Sequence, residues 1–247
     1  MGKMILFAGK ELPAGNDVVS GASFQGRSVI ATSLHVDESE ERSSSEKTSG
    51  VIPVVWNRGS PLSARSIALK CENSGGIDEA ALIFDEFYYA TKYRGINNAQ
   101  TLEELIGSYQ YLTQELLARF ARNSEKVTKL AFIHKANFTL ADGVNSSSLR
   151  SSGVELSNPL IAAASAAFRA FAENTAATLA EGNSVIPVLV SCEPNNDLSK
   201  RDSSLSVWLC EYLDAIDNLK KPLSPKQKVS WIKAGAKAPS GLGILGF

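Results

Sequence analysis

The stretch SNPLIAAASAAFRAFAENTAATLAEGNSVIPVLVSC, residues 157–192, decides the fold. Pro159 suits the first turn of a helix, because its missing N–H would have no partner there, and Ser157 or Asn158 can cap the exposed amides. Alanine dominates from there to Gly182, which favours a helix stop. Because alanine side chains are small, other elements can approach this helix closely, which predicts that it is buried on two sides. Alanine's helix propensity alone is the alternative explanation.

The segment that follows this helix is an apolar strand. The strand is predicted over residues 184–191, and VIPVLVSC, residues 185–192, is a continuous apolar run, as expected of a parallel strand covered by helices on both faces. Pro187 lacks the amide needed for one sheet hydrogen bond, which predicts a position near a sheet edge or a bulge.

Elsewhere, short apolar runs alternate with patterns typical of amphipathic helices. Helices are predicted to open at Ser60 and at Thr101, where Glu104 completes a capping box. The alternation predicts one α/β domain over residues 1–247, a three-layer doubly wound parallel sheet. The other strands are predicted at residues 4–9, 28–34, 51–56, 80–85 and 126–134, with a short last strand near the end of the sequence.

Two connecting segments stand out. Residues 9–15 predict a turn after the first strand. Residues 37–50, DESEERSSSEKTSG, are a polar run of low complexity, for which we expect a solvated loop open to disorder.

Charge balance and cysteine count exclude several classes of function. The 247 residues include 25 Lys and Arg against 26 Asp and Glu, well mixed, so nothing predicts a nucleic acid or membrane partner. Three cysteines and two histidines, without a CxxC motif, argue against a disulfide framework and a metal site. The sequence contains no apolar run of membrane-spanning length and no signal-peptide pattern, which predicts a cytoplasmic protein.

The order and spacing of the predicted elements, over nearly the whole chain, resemble the short-chain dehydrogenase/reductase family. Residues 162–195 look like the family's active-site helix, the next strand and its Pro-Gly turn, here Pro194-Asn195. Residues 111–120, YLTQELLARF, are similar to the family's preceding long helix. The resemblance implies a Rossmann-like fold that binds a nicotinamide dinucleotide beside the first strand.

The resemblance also implies a cofactor turn with three glycines. Gly9 and Gly15 hold the first and third places, but Pro13 stands in the second. Proline removes an amide donor and adds volume where the backbone should approach the pyrophosphate. The family's Asn-Asn-Ala-Gly element is replaced by residues 84–87, FDEF, which brings carboxylates to the adenine and ribose side. We therefore expect no cofactor, with NAD(P) as the alternative.

In the family, a tyrosine and a lysine four residues apart on the central helix exchange protons with the substrate. The resemblance places Ile161 at the tyrosine, Ser165 at the lysine and Leu105 at a supporting asparagine. The family's serine falls near His134, with 146–148 further on. Ile161 and Ser165 cannot act as a Tyr-Lys pair, so the site residues predict lost catalysis.

Other groups offer alternative chemistry. Tyr88 and Lys92 form a literal Tyr-x-x-x-Lys motif, although it follows the fourth strand instead of lying on the central helix. Cys192 with His134 as base could form a thiol nucleophile, but a buried inert cysteine is the commoner case. Asp85 and Glu86 could hold a metal or act as acid and base, whereas a solvated loop is the usual interpretation.

The sequence thus predicts a catalytically inactive protein that acts as an oligomeric structural, regulatory or small-ligand-binding protein. An active NAD(P)-dependent oxidoreductase that uses Tyr88 and Lys92 is the alternative. The family pairs its two long helices across a two-fold axis, which implies a homodimer or homotetramer through residues 101–123 and 159–181. Small residues on one helix and large apolar residues on the other support this expectation; both faces could instead be covered within one monomer. They are Ala163, Ala166, Ala167 and Ala170, and Tyr109, Leu112, Leu116 and Phe120.

Overall fold

The computed structural model describes residues 2–34, 50–96, 98–122, 126–138, 156–198 and 200–239. In these ranges seven strands form one parallel sheet in the order β3-β2-β1-β4-β5-β6-β7. The strands are β1 (Met4–Leu12), β2 (Ser28–Ser33), β3 (Val51–Val55), β4 (Glu79–Asp85), β5 (Thr128–Lys135), β6 (Val185–Cys192) and β7 (Trp231–Lys233). Three segments singled out in the sequence lie outside the described residues. They are the expected polar loop apart from Gly50, the serines at 146–148, and the terminal GLGILGF.

Helices cover both faces of the sheet, as predicted. They are α1 (Asn16–Phe24), α2 (Pro61–Asn73), α3 (Glu86–Lys92), α4 (Ala99–Phe120), α5 (Pro159–Leu179), α6 (Asp202–Asp217) and α7 (Pro225–Lys228). The alternation along β1 separates two cores: Leu6 faces a core with α2, α4 and α5, and Phe7 faces a core with α1 and α6. None of the helices in the described ranges has the length and apolar character needed to cross a membrane.

Both prolines within strands lie where a sheet hydrogen bond is dispensable. Pro53 is in β3, the edge strand at one side of the sheet. Pro187 pairs with Leu130 of β5, but on its other side β7 begins to pair only at Leu189. The predicted edge position of Pro187 is therefore confirmed.

The alanine-rich helix begins as expected. Asn158 accepts a hydrogen bond from the amide of Ile161 at 2.9 Å, which fixes the first turn of α5. One face of α5, including Phe168, is buried against the sheet and α4. Ala163 and Ala166 on the opposite face are exposed. The helix is thus buried against the sheet and against neighbouring helices, α4 and α3 among them.

Two predictions on element ends are wrong. Strand β1 continues to Leu12, so Gly9 lies in a strand and not in a turn; the register with β2 shifts between Phe7 and Leu12. Helix α4 begins at Ala99, because the side chain of Asn98 and not that of Thr101 caps it.

Two burial predictions also need correction. Asp85 is buried and caps α3, and Glu86 opens that helix, so neither belongs to a solvated loop. The four large residues of α4 expected to offer surface to a second copy all lie in the core of the monomer. They are Tyr109, Leu112, Leu116 and Phe120.

Candidate functional site at the carboxyl edge of the sheet

The carboxyl ends of the strands meet at one edge of the sheet, on both sides of the point between β1 and β4 where the strand order reverses. Ligands of open α/β sheets bind in the crevice outside this edge. Here the strand ends carry ionisable side chains, which form three hydrogen-bonded networks. Among the residues at this edge are Lys10, Glu11, Asp85, His134 and Lys135.

The first network is centred on Glu11 and Arg58, which follows β3. The Arg58 Nε donates to Glu11 Oε1 at 2.6 Å, and its Nη2 donates to the carbonyl of Gly9 at 3.0 Å. The guanidinium lies 4.2 Å from the ring centre of Trp56, a cation–π contact. Burial favours a raised pKa for Glu11, but the charges of Arg58 and Lys92 outweigh it and lower the pKa to about 2. Glu11 is therefore a buried carboxylate that is ionised at neutral pH.

Tyr88 and Lys92, the alternative catalytic pair, both contact Glu11. The Tyr88 hydroxyl donates to Glu11 Oε2 at 2.7 Å, and the Lys92 Nζ donates to the same oxygen at 3.3 Å. Burial and the adjacent carboxylate raise the pKa of Tyr88. A Tyr-Lys proton relay needs the opposite shift, since its lysine stabilises the phenolate.

Gly9 makes room for buried tyrosines of the same network. The Tyr89 hydroxyl donates to the Gly9 carbonyl at 2.6 Å and lies 2.7 Å from the Tyr109 hydroxyl, which donates to the carbonyl of Ile83. A Cβ atom on Gly9 would collide with both the Ile83 carbonyl and the Tyr109 hydroxyl. Gly9 therefore serves internal packing at this edge.

The second network alternates two lysines and two aspartates. Lys10 Nζ donates to Asp85 Oδ2 at 2.8 Å and to Asp202 Oδ2 at 2.6 Å. Lys135 Nζ lies 3.1 Å from Asp85 Oδ2 and contacts Asp202 Oδ1. Burial favours a raised pKa for Asp85, but Lys135 and Lys10 outweigh it and lower the pKa. The ring ties β1, β4 and β5 to the start of α6.

These residues do not fit a dinucleotide. The amides of Gly15 and Asn16, which would face a pyrophosphate, already donate to the carbonyls of Glu11 and Pro13 at 3.1 Å. Asp17 adds a negative charge in the first turn of α1, where a phosphate would need a positive one.

The third network joins Ser165, His134 and Glu86. Ser165 Oγ lies 2.7 Å from His134 Nε2 and donates to Glu86 Oε1, while Ser157 Oγ donates to Glu86 Oε2 at 3.2 Å. Burial favours a raised pKa for Glu86, but hydrogen bonds from His134 and Ser165 outweigh it and lower the pKa. Arg169 Nη1 faces His134 Nδ1 at 3.5 Å.

The neighbours of His134 assign its tautomer. Arg169 can only donate to Nδ1, and Ser165 Oγ gives its own hydrogen to Glu86, so Nε2 carries a proton and donates it to Ser165 Oγ at 2.7 Å, with Glu86 Oε1 3.2 Å away. In this state His134 cannot take the proton of Ser165, as a serine hydrolase requires. The geometry therefore gives a hydrogen-bond network around a carboxylate instead of a nucleophile with its base.

The structure brings together only some of the residues singled out in the sequence. Ser165 meets His134, but Ile161 and Leu105 are fully buried in the core. Cys192 is also buried, in agreement with an inert cysteine. The sequence analysis missed Arg58, although one signal could have found it: charged residues that follow apolar strands converge on this edge.

At the opposite end of the sheet, three carboxylates could be mistaken for a metal site. Atoms of Glu79, Asp214 and Asp217 lie within 4.8 Å of one another. Arg27 donates to both Glu79 and Asp214, and Lys129 contacts Asp217. Protein cations therefore occupy the position of a metal.

Comparisons with known structures identify the fold class. The structure resembles the putative carbonyl reductase Sniffer of Caenorhabditis elegans with a TM-score of 0.63 and 16% identity, over 97% of this chain and 100% of that one. It resembles a short-chain dehydrogenase of Mycobacterium smegmatis with a TM-score of 0.61 and 14% identity, over 96% and 93% of the two chains. It also resembles serine dehydrogenase of Escherichia coli with a TM-score of 0.58 and 15% identity, over 90% of this chain and 94% of that one.

The chain therefore has the Rossmann-like fold of the short-chain dehydrogenases/reductases, as the sequence resemblance predicted. In sequence it is 26% identical over 208 residues to an uncharacterised protein of Treponema pallidum (strain Nichols). The matched region covers 79% of this chain and 81% of that protein. No protein-family model matches the chain.

Proposed function

We propose that this chain is a non-catalytic protein with a dehydrogenase fold, which acts in the cytoplasm by self-association and by binding a small ligand other than NAD(P). The observation that carries the proposal is the Glu11–Arg58 network. Both side chains are buried and bond to each other, and Arg58 also donates to the Gly9 carbonyl, beside the first strand where the fold would receive its cofactor. Opening this groove would leave buried charges unpaired, which is costly.

The residues at the positions of the family's proton relay support the same proposal. Ile161 has no ionisable group and packs in the core, and Ser165 donates its proton to Glu86. Oxidoreductase activity through Tyr88 and Lys92 is disfavoured, because Tyr88 donates to a carboxylate that makes its phenolate less stable.

Cofactor titration tests the proposal. Calorimetry with NADH and NADPH should show no binding at micromolar concentration, and a panel of carbonyl substrates should show no turnover. A Pro13→Gly variant should also fail to bind, since the amides of Gly15 and Asn16 still donate to carbonyls of the chain itself. Micromolar binding by the native protein, or turnover that a Tyr88→Phe variant loses, would overturn it.

Self-association is proposed through α5 on a two-fold axis. Ala163, Ala166 and Ala170 are exposed on one face of this helix, and such small side chains let a second copy approach closely. Sedimentation should show a species heavier than the 26.4 kDa monomer. Ala166→Arg should shift it to the monomer, whereas Ser66→Arg on the exposed face of α2 should not. A monomeric native protein contradicts this interface.

A further inference from the structure

Arg169 of α5 reaches over the ends of β5 and β7, where its guanidinium contacts His134 and Trp231. His134 pairs in register with Ser191, so these two side chains lie next to each other on one face of the sheet. Trp231 of β7 is on the same face, since its ring lies 4.3 Å from the Arg169 guanidinium. We call the surface formed by Ser165, Arg169, His134, Ser191 and Trp231 the Arg169 groove.

The guanidinium of Arg169 is available to a ligand. Among the described residues it has no carboxylate partner, and the one acceptor of its N–H groups is His134 Nδ1 at 3.5 Å. Three other arginines of the chain are each paired with carboxylates: Arg27, Arg58 and Arg119. Stacking on Trp231 fixes the plane of the Arg169 group while leaving its N–H edge free to donate.

The charges around the groove favour one class of anion. Glu86 lies beyond the imidazole of His134, and Glu173 accepts a hydrogen bond from Trp231 Nε1 at 2.5 Å. On β7, Lys233 is paired with Glu193 at 2.9 Å, so that pair is neutral. Nearby carboxylates repel a dianion more than a monoanion, and a planar carboxylate matches the fork of an arginine.

We propose that the Arg169 groove binds the carboxylate group of a small organic acid, held by the Arg169 fork next to the Ser191 hydroxyl. The inference rests on the ligand-binding part of the proposed function and names the ligand class. Glu173 acts as a competitor, because its charge lies one helical turn from Arg169.

The three tryptophans of the chain provide the test. In an NMR titration of the full chain with acetate, a monoanion, the indole N–H signal of Trp231 should shift with a dissociation constant of about 1–10 mM. The signals of Trp56 and Trp208 should stay in place and report an intact fold. Sodium chloride at the same ionic strength should leave the Trp231 signal unmoved.

Variants separate the groove from general effects. Arg169→Gln should weaken acetate binding at least tenfold, Arg65→Gln on the exposed face of α2 should not change it, and Glu173→Gln should tighten it. An unmoved Trp231 signal at about 20 mM acetate, or unchanged binding by Arg169→Gln, would overturn the inference. Inorganic phosphate binding more tightly than acetate would overturn the carboxylate assignment. NADPH titrated into the same sample tests the proposed function separately.

Discussion

Ser165 Oγ lies 2.7 Å from His134 Nε2, which links the central helix α5 to the carboxyl end of β5. The resemblance to dehydrogenases puts a lysine and a serine at these two places. The contact between helix and strand is thus present, but its partners are a hydroxyl and an imidazole, and both lie beside the Glu86 carboxylate. A position that serves proton transfer in the family serves here to satisfy a largely buried negative charge.

Removing this hydroxyl tests that role. We expect Ser165→Ala to lower the free energy of unfolding by about 1–3 kcal/mol, because Glu86 loses a donor that cannot be replaced inside the network. Ser66→Ala on the exposed surface of α2 is the matched control and should change it by less than about 0.5 kcal/mol. Urea unfolding measures both, and equal effects of the two substitutions would contradict the network.

The Glu11–Arg58 pair makes a second prediction. Glu11→Leu alone should destabilise the protein by about 3–5 kcal/mol, because Arg58 stays buried without its carboxylate. The double variant Glu11→Leu with Arg58→Met should recover much of this loss, since no buried charge is then unpaired. The change is read from denaturant unfolding of the two single variants and the double variant.

A surface ion pair provides the control for this cycle. Asp197 and Lys200 are 2.8 Å apart and largely exposed, so removing Asp197 should have almost no effect on stability. Strictly additive losses for Glu11 and Arg58 would show that the two side chains are not coupled.

The contrast between this pair and the strands shows what the sequence could predict. Apolar runs such as β4 and β6 were visible because parallel strands are buried on both faces, and the Asn158 cap was visible because capping is local. Residues 11 and 58 are far apart in the sequence, and only the strand order brings the ends of β1 and β3 near each other.

The dependence on strand order also explains why the sequence around Asp85 favours a solvated loop, although the residue is buried. Its sequence neighbourhood is that of a polar turn, and its burial depends on Lys10 and Lys135 from two other strands. The periodicity of apolar residues in the sequence indicates which apolar side chains are buried, but it gives no information on charged ones. A buried charge depends on its partner, and the partner is set by topology.

Acid should weaken the fold through Glu11. Because the folded-state pKa is about 2 and the usual value is 4.5, the ionised form contributes stability that is fully present above pH 4.5. This contribution falls as the pH drops from 4.5 through 2, by about 3 kcal/mol in total. Urea unfolding of Glu11→Gln should show a correspondingly smaller loss in this pH window, whereas Glu103→Gln on the exposed side of α4 should follow the native curve. A Glu11→Gln curve parallel to that of the native protein would contradict the assignment.

Gly9 and Gly75 separate backbone conformation from packing. Both have a positive φ, 113° at Gly9 and 102° at Gly75, so alanine at either position should cost about 1–2 kcal/mol through backbone strain. Nothing lies within 4 Å of a Cβ atom on Gly75, whereas one on Gly9 would meet the Ile83 carbonyl and the Tyr109 hydroxyl. Gly9→Ala should therefore lower the free energy of unfolding by about 1–3 kcal/mol more than Gly75→Ala does, because the buried tyrosines must move. Equal losses in thermal or urea unfolding would mean that Gly9 is required only for its backbone angle, and that the tyrosine network can shift at no cost.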